Sequence, residues 1–187
     1  MRQLITTTIA LTIAILSTGC SMMAPKYSPS MDNVQALKSA SNTPVKIGQF
    51  TSSNDPANAN PIKLRGSALA SPYENSYSAY LVDAIKQELI LAKRNAPESN
   101  IEISGTLLKN DIDVSGFSTG YAMIDARFIV KRDGREVYNQ IKSVKHEFPS
   151  SFAGAIAIPR GVQEYSIAVQ KLLASLFSDT AFIAASK

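Results

Sequence analysis

"GYAMIDARFIVKRDGREVYNQIKSVKHEF" (residues 120–148) is the stretch whose reading decides the fold. Ala122, Ile124, Ala126, Phe128 and Val130 alternate with mostly polar neighbours, the period of a strand with one buried face. Asp133 and Gly134 then supply a two-residue turn of the kind that needs positive φ. The chain returns through Val137 and Ile141, then through Val144 and Phe148 after an apparent change of phase. This reads as a long β-hairpin.

The segments on either side supply its cover. Downstream, residues 160–178 put Val162, Tyr165, Val169, Leu172, Leu173 and Leu176 on one helical face, with Pro159 at the start. Upstream, residues 76–94 put Tyr77, Leu81, Ala84, Ile85, Leu89 and Ala92 on another. Ser76 or Asn75 can cap that helix, and Pro97 lies beyond its end. Between helix and hairpin, "NIEISGTLLKNDIDVS" (100–115) carries Ile101, Ile103 and Leu107 in one phase, then Leu108, Ile112 and Val114 in the other. That flip predicts a bulge or bend near Leu107. Earlier still, "VKIGQF" (45–50) reads as a strand, "TSSNDPANANP" (51–61) as loop and "IKLRGSALA" (62–70) as a second extended segment. The order is ββαβββα. An antiparallel sheet with two amphipathic helices packed on one face satisfies every stripe, so the expected class is α+β, with residues 45–187 as one domain.

Composition fits that size. The chain has 187 residues, 45% of them hydrophobic and 18% charged, a net charge of +4, no tryptophan, one histidine and one cysteine. A mild positive charge draws anionic partners such as lipid head groups, or simply keeps the domain soluble. The cysteine stands at the end of "AILSTGC" (14–20). Ahead of it, Arg2, an apolar run over residues 4–16 and a small-residue step form the three parts of a secretory signal over residues 1–19, too short to span a bilayer. Residues 21–44, rich in serine, proline, asparagine and alanine, read as a flexible tether carrying at most a turn or two of helix.

Little in the chain points to catalysis. His146 lies in "SVKHEF" without a nucleophile elbow in reach, and a half-exposed or core-edge histidine is the plainer reading. Asp111 and Asp113 share one side of a strand and could bind calcium or act as an acid–base pair, but read more simply as solvated decoration. No cofactor or metal is expected, since a lone histidine and cysteine cannot furnish the usual zinc ligands. Lys131, Arg132, Arg135, Lys142 and Lys145 gather on the hairpin, either to meet anionic lipid or to guard a strand edge against aggregation. Aromatics interleaved for base stacking are lacking, and no nucleic-acid partner is expected. "SSFAGAIAIPRG" (150–161) is unusually apolar for a loop; its Phe152, Ile156 and Ile158 serve either as extra core or as a patch for a partner or lipid.

Thr18, Gly19 and Cys20 resemble the lipobox of bacterial lipoproteins, with Ser17 standing where Leu is usual. The resemblance implies that Cys20 takes a diacylglycerol on sulfur, that cleavage precedes it, and that its amino group is acylated. Ser21 in place of Asp implies sorting to the outer membrane. The alternative is an unmodified thiol after an ordinary signal. Acyl chains at about 0.8 kcal/mol per methylene make two or three of them a lasting anchor. The stretches "YLVDAIKQELILAKRN", "SGFSTGYAMIDARFIVKRDGREVY" and "YSIAVQKLLASLFSD" resemble the YajG-type family of outer-membrane lipoproteins. That implies a non-catalytic envelope role and transfers no catalytic residues. The expected molecule is therefore a lipoprotein on the periplasmic face of the outer membrane, held by Cys20, with an envelope protein or lipid as partner. Phe152, Ile156, Ile158, Lys142 and Lys145 are its candidate contacts. The rivals are an envelope hydrolase or acyltransferase using His146 or the aspartates, and a lipid carrier with an apolar cavity.

Overall fold

The computed structural model describes residues 21–187; the signal segment 1–19 and Cys20 lie outside the described residues. Its elements are β1 (Ser21–Met23), α1 (Met31–Ala40), β2 (Lys46–Ser52), β3 (Ile62–Leu64), β4 (Ser67–Ala70), α2 (Tyr77–Leu91), β5 (Ile101–Asp113), β6 (Thr119–Arg132), β7 (Arg135–Pro149), α3 (Gly154–Phe177) and α4 (Thr180–Ala185). The class is α+β. A four-stranded sheet runs β2-β5-β6-β7 and a three-stranded one β1-β4-β3.

The hairpin forms as its alternation requires. Ile124 pairs with Val144 and Val130 with Tyr138, and the turn residues Asp133 and Gly134 both have positive φ. Ala122, Ile124, Ala126, Phe128 and Val130 are all buried. The phase flip in β5 is a bulge: Leu107 pairs with Ala126, Lys109 with Asp125, and Leu108 is the extra residue. In β7 the irregularity falls earlier than the pattern implied, between Val130 and Lys131, and Val137 is bulged out. Its inward face is then Tyr138, Lys142, Val144, His146 and Phe148, so Val137 and Ile141 are exposed. Apolarity misled here because the inward polar groups are satisfied by partners on the helices.

The helices α2 and α3 lie on one face of this sheet, α2 over β2 and β5 and α3 over β6 and β7. Ser76 caps α2 by accepting from the Ala79 N–H. The sheet is mixed rather than antiparallel throughout, because β2 runs parallel to β5. The reason is connectivity: the chain between them crosses over through α2, and a helix crossover returns a strand in the same direction. The extended segment 62–70 is folded back on itself at Arg65 and Gly66, giving the antiparallel β3–β4 pair.

Residues 21–44 are a strap and not a tether. β1 pairs parallel with β4, and Ala24, Tyr27, Val34 and Leu37 are buried. Ser30 caps α1, which packs across α2 and α3. Composition failed here because a few apolar residues and specific polar bonds sufficed. Glu88, wholly buried on α2, accepts hydrogen bonds from the Tyr27 hydroxyl at 2.6 Å, the Ser30 N–H at 3.0 Å and the Asn33 amide at 3.4 Å. All three bonds fall on Oε1 and tie the strap to the helix, while Oε2 is buried without a hydrogen-bond partner among the described residues.

Residues 150–161, read as a loop, are mostly the opening of α3, which starts at Gly154 and carries Pro159 inside it. Pro159 lies in the second turn, where it lacks the N–H that would meet the Ala155 carbonyl and its ring crowds that carbonyl, so one bond of the helix ladder is missing. Gly161 sits where α3 meets β5: a Cβ there would lie 2.8 Å from Val114 Cγ1 and 3.2 Å from Ile112 Cγ2.

Candidate functional site

The end of the sheet where β5 ends, β6 begins and β7 finishes brings together the two most exposed large apolar side chains among the described residues. Phe117, in the β5–β6 connection, and Phe152, just before α3, are 79% and 71% exposed. Their rings stack with centroids 5.2 Å apart and an interplanar angle of 15°. Ile156, one turn into α3, is 62% exposed, while Ala157 is buried and Ile158 half-buried against the core. The expected triplet is therefore divided: Phe152 and Ile156 face outward, and Ile158 is largely core.

Arg65 builds this tip. Its guanidinium donates from Nε at 2.9 Å and Nη2 at 2.6 Å to the Val114 carbonyl, at 2.9 Å to that of Ser151, and to that of Phe152. One side chain thus ties the β3–β4 turn to the end of β5 and to the segment ahead of α3. Carbonyls alone accept from it, and the planar five-donor fork suits that role. The Ser150 N–H donates to the Ser118 carbonyl at 2.8 Å, closing the tip between the two connections. Nothing in the composition pointed to Arg65, since its partners are backbone atoms distant in sequence.

Lys142 and Lys145 do not form a shared patch. Three residues apart on a strand, they point to opposite faces. Lys142 lies under the helices and pairs with Asp179 at 2.6 Å. Asp179 caps α4 by accepting from the Ala181 N–H at 2.8 Å and also accepts from the Tyr138 hydroxyl at 2.8 Å. Burial pushes its carboxyl up, but these bonds and the ammonium outweigh it and hold the group at about 2. Lys145 is on the open face, its Nζ 4.1 Å from the Tyr121 ring centroid.

His146 is buried under α3, where Nε2 lies 2.6 Å from Glu164 and Nδ1 2.8 Å from Lys171 Nζ. An ammonium only donates, so Nδ1 accepts and Nε2 donates its proton to the carboxylate. Arg160 Nη2 holds the other oxygen of Glu164 at 2.8 Å. Both ring nitrogens are thus engaged in a structural network. Asp113 accepts from the Ser115 N–H at 2.8 Å, and its bonds to Ser115 lower its pKa. Asp111 instead lines a concavity of about 640 Å³ with Asp55, Lys63, Lys109 and Met123. Both aspartates also line a neighbouring concavity of about 270 Å³, together with Lys63, Arg65, Ser115 and Met123.

Four buried tyrosines, 27, 77, 80 and 165, with the half-buried Tyr73 at the edge, form a seam where the strap and small sheet meet α2 and α3; Tyr80 and Tyr165 have centroids 5.1 Å apart. Each buried phenol has a partner: Tyr77 donates to the Leu69 carbonyl, Tyr80 to that of Pro25 and Tyr165 to Asn110 Oδ1. Burial raises their pKa values far above the usual 10. Only Tyr77 and Tyr165 were legible, as members of helix stripes.

Among the described residues no helix is long and apolar enough to cross a membrane. No protein-family model matches the chain. No curated protein matches it either. Solved structures do. A Xanthomonas campestris protein of the DUF330 family is similar over 88% of this chain and 95% of its own, with a TM-score of 0.61 and 14% identity. A Caulobacter crescentus CB15 protein provisionally described as a lipoprotein matches over 83% and 98%, with a TM-score of 0.47 and 12% identity. An uncharacterized protein matches over 86% and 97%, with a TM-score of 0.49 and 12% identity. At 14% identity the first likeness establishes a shared fold: this chain has the architecture of the Xanthomonas campestris DUF330 protein.

Proposed function

We propose that this protein is a lipid-anchored, non-catalytic binding module of the cell envelope, held on the periplasmic face of the outer membrane by acyl chains on Cys20. The observation that carries the reading is the placement of the chain's only cysteine, after a signal-like apolar run and a Thr-Gly step. The fold agrees with it. Ser21, the residue after Cys20 in sequence, already pairs with Ala68 in β1, so the described fold leaves no long linker between it and that position. The other polar constellations favour structure over chemistry, since His146, Glu164 and Asp113 are each bonded within the fold. The core between sheet and helices is occupied by wholly buried side chains such as Phe128, Tyr165 and Phe177.

Anchoring would confine the domain to a thin layer at the membrane and raise its effective concentration towards an envelope partner. The test is metabolic labelling with radioactive palmitate together with membrane fractionation. The full chain should incorporate label and sediment with the outer membrane. Cys20→Ala should do neither. Label retained in Cys20→Ala, or an unlabelled wild type with a free thiol, would overturn the proposal.

A further inference from the structure

We propose that the Phe117–Phe152 tip, with Ile156 beside it, is seated in the bilayer interface, so that the domain stands on the membrane by a fixed end. This rests on the anchoring reading of Cys20 and says how the anchored domain is oriented. Three observations meet at one end of the molecule. First, Ser21 pairs with Ala68, near the Arg65–Gly66 turn. A Cα one peptide bond away lies only about 3.8 Å off, so acyl chains on Cys20 have no tether through which to hold the domain at a distance. Second, that turn is bonded through Arg65 to Val114, Ser151 and Phe152, which frame the aromatic pair. Third, the rings of Phe117 and Phe152 stack on each other and remain largely open to solvent.

Two exposed phenylalanines are costly in water and favourable at the head-group boundary, where apolar side chains sink about 5–10 Å. The Arg65 bonds hold the tip rigid, so insertion does not require ordering a loop. A strap that ended in a free tether would have left the tip's orientation open; β1 removes that freedom. The remaining residues of the sheet then stand away from the membrane. The Asp133–Gly134 turn lies at the other end of the 14-residue β6, roughly 40 Å from the tip.

The chain lacks tryptophan, so a single introduced indole reports on one place. Full-length Phe117→Trp, Phe152→Trp and Val137→Trp proteins are extracted from membranes, checked for acylation by intact mass, and reconstituted into phosphatidylethanolamine–phosphatidylglycerol vesicles with or without brominated acyl chains. All three positions are exposed, which keeps the fold out of the comparison. The indoles at 117 and 152 should shift to the blue and lose intensity in brominated vesicles, while that at 137 should do neither. Acylated, vesicle-bound protein with unquenched reporters at 117 and 152 overturns this inference and leaves the anchor standing. A blue shift without bromine quenching points to a protein surface over the tip and overturns it equally. Protein with no acyl chain that fails to float with vesicles overturns the anchoring reading itself, and this inference with it.

Discussion

Replacing Asp179 by asparagine removes one charge and little else. Asparagine caps a helix as well as aspartate, so α4 keeps its first-turn bond to Ala181. What disappears is the pairing with Lys142 at 2.6 Å and the acceptor strength towards Tyr138. The Asp179 carboxyl, ordinarily near 3.8, is held at about 2. At about 1.4 kcal/mol per tenfold change in proton affinity, that difference is worth at most about 2.5 kcal/mol. The side chains of the pair keep 20% and 17% of their surface exposed, and solvent screening reduces the value to about 1–2 kcal/mol. A carboxyl with a lowered folded pKa stabilises fully above its unfolded value and loses that contribution as pH falls through its folded value. Wild type should therefore exceed Asp179→Asn by about 1–2 kcal/mol at pH 7. The gap should shrink below pH 3.8 and be nearly gone by pH 2. Urea unfolding followed by circular dichroism at pH 7, 4 and 2.5 measures it. A gap independent of pH, or none at pH 7, would refute the electrostatic account. Lys142→Met should lose part of the same pH dependence, the bonds to Tyr138 and the Ala181 N–H keeping the rest.

The strap and the helix–sheet contact give two further tests. Leu37→Ala should cost about 2–5 kcal/mol in urea unfolding, because Leu37 is buried between α1 and the layer beneath; a loss below about 0.5 kcal/mol would mean that residues 21–44 do not belong to the cooperative core. Gly161→Ala improves helix propensity by about 1 kcal/mol, yet its methyl would press on Val114 and Ile112, so a net loss of about 1–2 kcal/mol is expected. A rise in the unfolding midpoint would show that β5 gives way to admit the methyl.

The periodic elements were readable because their physics is local. The β6 alternation, the bulge at Leu108, the positive-φ turn at Asp133–Gly134 and the Ser76 cap each depend on residues a few positions apart. The stripes of α2 and α3 likewise announced which faces would be buried. Misreadings arose where a pattern mixed apolar and polar residues. Strand β7 turns Lys142 and His146 towards the helices and exposes Val137 and Ile141, an arrangement stable only because Asp179, Glu164 and Lys171 come from segments far along the chain. The candidate contacts followed the same rule. Phe152 and Ile156 were found as apolar residues out of place, whereas Phe117 and Arg65 acquire their meaning only from neighbours in space.

By itself the sequence determined the α+β class, the hairpin, the two covering helices and the lone cysteine behind a signal-like run. Tertiary structure alone decided the parallel pairing of β2 with β5, the docking of residues 21–44 onto Glu88, and the assembly of the tip around Arg65. Periodicity records which side of an element is buried. It carries no information about which distant backbone carbonyl or buried carboxylate will complete a hydrogen bond, and those bonds fixed the rest.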